Sequence, residues 1–353
     1  MVVSAPDAAR WLSWVETGND GAALIRPYGV KTISYSNPNR VQPGDPLYSD
    51  DDSEFAHTCG GARARGESGY RGQYLLNPGS PALANLWLSK LHANPNLPLF
   101  SAIFVDEAVG AKYAANVPCG YNTEDWIRAE TQLFRTIHYP IIYNGLNDFA
   151  DHGVAREIAL NKAAIGGLME ECYAQLNPDH RINGWMWSAT EQTEIRMAQD
   201  HKYFVCYGRD LTPADQAFDS RMYTYASFLL TYDPNTTVLW EYYKTPTGAH
   251  VMPETQLVAL DPVKRNVRDI EQLRTPEGVY TRAYRHCYIA GKPVGACVAV
   301  VNPDDGAHPL SLPGYRRTLA LQGSGVFDGG TVRVQTVAPP GTIGPREAII
   351  AFR

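Results

Sequence analysis

Charge is scarce in this chain and nowhere massed. Only 19% of the 353 residues are charged, with 31 Lys and Arg against 37 Asp and Glu and a net charge of −6. The basic residues are scattered, so the electrostatic footprint of a nucleic-acid binder is missing and neither DNA nor RNA is an expected partner. No apolar run reaches the roughly 18 residues a membrane span needs, and "MVVSAPDAARWLSWVE" has neither the basic start nor the apolar block of a signal peptide. Six cysteines show no CxxC and no zinc spacing. Cys172 and Cys206 end apolar runs, as buried thiols do, whereas Cys59 and Cys119 lie in polar loops and could pair if the protein is exported, free thiols being the alternative. HExxH, P-loop, GxSxG and calcium-loop motifs are absent, and no GxGxxG follows a first strand. The nine histidines are scattered and "DDDSE" reads as a solvated loop, so no metal and no cofactor is expected.

What is abundant is aromatic surface chemistry, 21 Tyr, 10 Phe and 7 Trp, set in short apolar runs. Such runs recur at 30–36, 72–77, 100–106, 139–144, 164–173, 202–208 and 237–243, bounded by Gly, Pro, Asn and Asp, with helical stretches between them. That alternation predicts parallel βα units of an α/β (β/α)₈ TIM-like barrel over residues 1–278. An eighth strand is lacking. Either "MVVSA" is its stub, or it lies upstream and the chain enters at a helix over "DAARWLSWVETGNDGAALI"; an open doubly wound sheet is the competing arrangement. Among the helices, "PALANLWLSKLHAN" aligns Leu83, Trp87 and Leu91, and "NTEDWIRAETQLFRTI" has Thr123 as its expected N-cap. From 279 to 353 the pattern changes to period two with turn punctuation, predicting a small antiparallel, β-sandwich-like domain.

A parallel barrel builds its active site at the C-terminal ends of its strands. The polar residues at those ends are Tyr35 and Asn37, Asn77, Asp106 and Glu107, Asn144, Glu170 and Glu171, Tyr207 with Arg209 and Asp210, and Glu241. Alternation lets only one acid of each adjacent pair face the axis, and Asp106 and Glu171 are favoured. Two carboxylates among aromatics suit glycosidic cleavage, one protonated to assist the leaving oxygen, the other ionised to attack or to activate water. A separation of roughly 5 to 5.5 Å would mean retention and roughly 6.5 to 9.5 Å inversion. Trp185 and Trp187, in "NGWMWSATE", are expected in a rim loop where their faces stack on sugar rings, although tryptophans are commonly core. A bell-shaped pH profile is expected, with the acid raised well above the roughly 4.3 of free Glu.

The succession "YSNPNRV", "YLLNPGSPA", "IFVDEA", "IIYNGLN", "GLMEECYA", "VMPETQLVALDP" and "GVYTRAY" leading to "AVVNPDDG" resembles the bacterial proteins called hypothetical glycosyl hydrolase family 15. The resemblance covers nearly the whole chain. It implies a TIM barrel with a C-terminal β-domain, akin to α-galactosidases and to the galactosaminidases of glycoside hydrolase family 114, acting on a polysaccharide or its oligosaccharides. Such barrels carry an Asp at the end of strand four and an acid at the end of strand six. Asp106 would then be nucleophile or electrostatic stabiliser and Glu171 the general acid/base, with Glu107 kept in contention by the Asp-Glu pairs of galactosaminidase barrels. Glu254, in "VMPETQL", joins the substrate-binding set. The chain departs from the pattern in lacking a clear first strand and in the length of "RHCYIAGKPVGAC". An extracellular or cell-surface setting follows from the substrate class, and a sugar-binding barrel without catalysis is the alternative function.

Overall fold

The computed structural model describes residues 4–66, 72–108, 118–146, 162–170, 172–173, 181–209, 218–242, 251–323 and 330–353. The chain divides into two compact units, one of Ser4–Leu168 and one holding Met169–Arg353.

The first unit opens with a helical turn, α1 (Ala5–Ala8), and then a strand, β1 (Trp14–Glu16). A first strand therefore exists, inside the segment expected to be helical. The segment's first two residues belong to α1, and its end, α2 (Asn19–Ile25), is helix. Trp14, Val15 and Glu16 pair in parallel with Lys31, Thr32 and Ile33 of β2 (Lys31–Ser36), a tertiary partner that overrides local propensity.

The stretch 72–77 is not a parallel strand. Its Tyr74–Leu75 (β4) pairs antiparallel with Arg40–Val41 (β3), and bridges at Phe55–Leu76, His57–Arg63 and Arg65–Tyr74 extend the excursion. Ala56, Ala64, Leu75 and Trp126 form a small core there, and a Cys59–Cys119 disulfide closes it. Helix α3 (Pro81–His92) follows, with Pro at its first position and Leu83 and Trp87 buried.

Strand β5 (Ala102–Val105) pairs in parallel with β2, β6 (Ile141–Asn144) with β5, and β7 (Gly166–Glu170), up to Leu168, with β6. All residues of β5 and β6 are buried, as in sheets covered on both faces. Between them α4 (Thr123–Ile137) buries Trp126, Leu133 and Ile137. Its cap is Asn122 rather than Thr123: the Asn122 backbone is extended and its side-chain oxygen accepts from the Asp125 amide at 2.8 Å.

The second unit carries the end of β7, then α5 (Gly184–Gln199), β8 (Tyr203–Arg209), α6 (Phe218–Thr231) and β9 (Thr237–Tyr242), with β8 and β9 parallel. Asp106 thus follows the third parallel strand and Glu170 ends the fifth, not the fourth and sixth. Seven parallel strands are found among the described residues.

The antiparallel part starts with β10 (Leu257–Pro262), ahead of the expected change of pattern. Strands β11 (Tyr280–Ile289), β12 (Lys292–Asn302), β13 (His308–Pro309), β14 (Arg317–Gln322), β15 (Thr331–Gln335), β16 (Thr342–Ile343) and β17 (Glu347–Phe352) follow. The main sheet has the order β10-β11-β12-β17-β14-β15, with β13 and β16 as a separate ribbon. Its core is Val279, Val298, Val300, Leu310, Ile343 and Ala351, and α6 packs on β12 and β17. The long "RHCYIAGKPVGAC" is one hairpin. Ala290 and Gly291 both have positive φ at its tip, and register shifts near Cys287 absorb the extra length. Disulfides join Cys287 to Cys297 and Cys172 to Cys206, so the latter two are not free thiols.

Candidate functional site

The ends of β2, β5 and β6 meet at Asp106. Past the last residue of β5 the chain stays tied to both neighbours: the Asp106 amide donates to the Ser36 carbonyl at 3.0 Å, and the Ala108 amide to the Asn144 carbonyl at 2.9 Å. Asp106 thereby keeps the face set by the strand before it. Its Oδ2 accepts from the Tyr35 hydroxyl at 2.8 Å, its Oδ1 from the Asn144 amide at 2.9 Å, and its carbonyl from the buried Asn39 amide at 2.8 Å. Both carboxylate oxygens are aimed by neutral donors, and no cation neutralises it among the described ion pairs. Asn37 shapes the turn beside it, its side-chain oxygen accepting from the amides of Asn39 and Arg40.

Glu107 turns away. It adopts φ 55°, and its carboxylate is ion-paired with the guanidinium of Arg40, which is 2% exposed. The left-handed backbone at Glu107, past the end of β5, carries this acid away from the face that Asp106 keeps.

A residue not foreseen from the sequence joins the group: Glu16, the last of β1. In parallel pairing, partners share a face. Glu16 lies opposite Ile33, Ile33 opposite Ala102, Tyr35 opposite Phe104, and Phe104 opposite Ile142. Steps of two along each strand then put Glu16, Tyr35, Asp106 and Asn144 on one face. Burial, and after it the charge of Asp106, push the Glu16 carboxyl up from 4.5 to about 7. Burial, the same charge and the hydrogen bond to Asp106 also raise the Tyr35 hydroxyl, which stays a donor. The Tyr35 ring, 52% exposed, leaves an open aromatic surface over this corner.

Asn77 accepts from the Tyr121 hydroxyl and the Gly79 amide, a turn leading into α3. Glu170 ends β7 on the same side of that strand as Leu168 and is half-buried, while Glu171 and Asp210 lie outside the described residues. Tyr207 is half-buried with its ring 5.5 Å from Trp240. Arg209 and Glu241 sit within β8 and β9, and their side chains are outside the described set.

Trp185 and Trp187 are in the first turn of α5, not in a loop. Trp185 is 63% exposed; Trp187 is core, its indole N–H donating to Ser227 at 2.9 Å and its ring 4.6 Å from Tyr280. Glu254 is fully buried and takes both arms of the Arg221 guanidinium. No group of three or more His, Cys, Asp or Glu suited to a metal ion occurs among the described residues.

No family model matches this chain, and no curated protein does. Solved structures similar to it include the glycoside hydrolase domain of PelA from Pseudomonas aeruginosa, 11% identical with a TM-score of 0.43 over 67% of this chain and 88% of that one. Ega3 of Aspergillus fumigatus, solved with galactosamine, is 13% identical at 0.42 over 65% and 84%. The galactosidase domain of the α-galactosidase–sucrose kinase AgaSK is 10% identical at 0.49 over 99% and 51%. All three scores lie below 0.5.

Proposed function

We propose that the protein is a glycoside hydrolase of the retaining type, acting on the O-glycosidic bonds of a polysaccharide or its oligosaccharides on a parallel α/β scaffold of the TIM-barrel kind. The observation that supports this is the grip on Asp106, a carboxylate at a strand end with each oxygen held by a neutral donor, Tyr35 or Asn144, beside an open tyrosine ring. A carboxylate oriented in this way, with no cation paired to it among the described residues, suits the positive charge that develops at an anomeric carbon. Glu107, committed to Arg40, is assigned a structural part. Three disulfides favour an oxidising compartment, and we place the protein's work outside the cytosol.

The test is release of reducing ends from a panel of polymers containing galactosamine, galactose or arabinose, with NMR of the first-formed anomer. Asp106→Asn is expected to abolish release while leaving the fold intact. A wild-type chain that binds a polymer without cleaving it would be a sugar-binding protein instead, and full turnover by Asp106→Asn would remove Asp106 from the chemistry.

A further inference from the structure

A carboxylate opposite an anomeric carbon needs a second group that carries a proton. Glu16 stands where such a group belongs. It shares a face with Asp106, one strand (β2) lies between their strands, and Tyr35 on that strand hydrogen-bonds Asp106. Two strand spacings, roughly 10 Å between the backbones of β1 and β5, leave width for a sugar unit between the two acid side chains. Glu16 is half-buried and, among the described residues, has neither a hydrogen-bond donor nor a cationic partner. No ion pair or hydrogen bond among the described residues ties this acid into the fold, which leaves its carboxyl group available to the face it shares with Asp106.

We propose that Glu16 is the general acid/base of this site, the proton-carrying partner of Asp106. The inference rests on the glycosidase reading of the same face. As the bond between the anomeric carbon and the glycosidic oxygen breaks, the Glu16 proton passes to that oxygen and Asp106 bonds to the carbon. Water then adds its oxygen to the carbon, Asp106 leaves, and the water's proton returns to Glu16. One glycosidic bond and one water are consumed and two hydroxyls form.

Among the described residues the titratable groups facing Glu16 are Tyr35 from β2 and Asp106 past β5; Lys31, also on β2, lies over the Trp14 ring. Activity should therefore fall on the alkaline side of about 7, where Glu16 loses its proton.

Two measurements on the full chain decide it. In carbon-13 NMR of the glutamate carboxyls, one resonance should titrate at about 7, vanish in Glu16→Gln and move toward the ordinary 4.5 in Asp106→Asn. In hydrolysis, Glu16→Gln should lose about 100-fold or more on polysaccharide but less than about tenfold on dinitrophenyl glycosides, whose leaving group needs no proton, and should lose the alkaline limb. Glu16 titrating near 4.5, or Glu16→Gln keeping the wild-type pH profile and leaving-group dependence while Asp106→Asn is dead, would overturn the assignment and leave the glycosidase reading standing. A wild type inert on every polymer would overturn both.

Discussion

Tyr35 shows most directly how one side chain can serve two purposes, its ring open to solvent and its hydroxyl bound to Asp106. Hydrogen bonds to a charged group are worth about 1.5–3 kcal/mol, so a donor lost from Asp106 should cost roughly tenfold to a hundredfold in kcat/KM. Tyr35→Phe keeps the ring and removes only that donor. We expect the rate loss with a melting temperature near wild type; an unchanged kcat/KM would mean that the bond does not orient Asp106 in the reaction. At this scale the sequence is readable where a polar residue closes an apolar run, as at Asp106 and Asn144. Glu16 was hidden because a three-residue strand has too little periodicity to announce itself, and "WLSWVE" matches a helix equally well. Glu254 and Trp187 are the converse, polar or aromatic residues whose partners, Arg221 and Ser227, are distant in sequence and turn them into core.

At the scale of elements, the turn after β5 depends on the Arg40–Glu107 pair. Arg40 is buried on β3, and the left-handed Glu107 closes onto it while Asp106 keeps the face of its strand. Breaking a buried pair from one side leaves an uncompensated charge, at a cost of about 3–5 kcal/mol. Glu107→Ala should therefore lower stability by that order in chemical denaturation. Arg40→Met with Glu107→Leu should recover part of it, because both charges are gone. A Glu107→Ala chain as stable as wild type would remove the structural role assigned to the pair and return Glu107 to the candidates for chemistry. The stretch 72–77 looks like a parallel strand in sequence because short antiparallel and buried parallel strands share composition, and only the partner, here Arg40–Val41, distinguishes them. The cap of α4 lies one residue before the expected Thr123, since Asn122 and Thr123 are both good caps and backbone angles decide between them. The turn residues that open "NGWMWSATE" suggest a loop for Trp185 and Trp187, but Asn183 is the N-cap and Gly184 the first residue of α5.

For the molecule as a whole, the distribution of raised carboxyls sets the pH of greatest stability. Glu191 and Glu194 of α5 are fully buried; Thr231 donates to the first at 2.8 Å and Tyr173 to the second at 2.9 Å, and each keeps one oxygen without a donor among the described residues. Burial, then the charge of Glu194, drives Glu191 well up from 4.5, and burial raises Glu194 to about 8 despite the opposing pull of Tyr173, Thr231 and Arg282. With Glu16 at about 7, the folded chain holds protons that the unfolded chain releases near 4.5. Between those limits the unfolded state binds fewer protons, so stability is full below about 4.5 and is lost as pH rises through 7 and 8. The aspartates Asp52, Asp261 and Asp305, lowered from 3.8 by hydrogen bonds from arginine and other neighbours, act in the opposite sense. Their contribution is present above 3.8 and fades as the solution becomes more acidic. The two trends leave an optimum on the acid side of neutrality, at about pH 5. Melting temperature measured from pH 4 to 9 should peak there and decline above it, most steeply below about 7, where Glu16, Glu191 and Glu194 are all protonated in the folded chain and ionised in the unfolded one. Glu194→Gln, which keeps an oxygen to accept from Tyr173 and cannot ionise, should flatten the decline while leaving the Glu16 titration in place. A wild-type profile level from 5 to 9, or a Glu194→Gln profile that falls as steeply as wild type, would show that the α5 carboxyls are not the source of the slope.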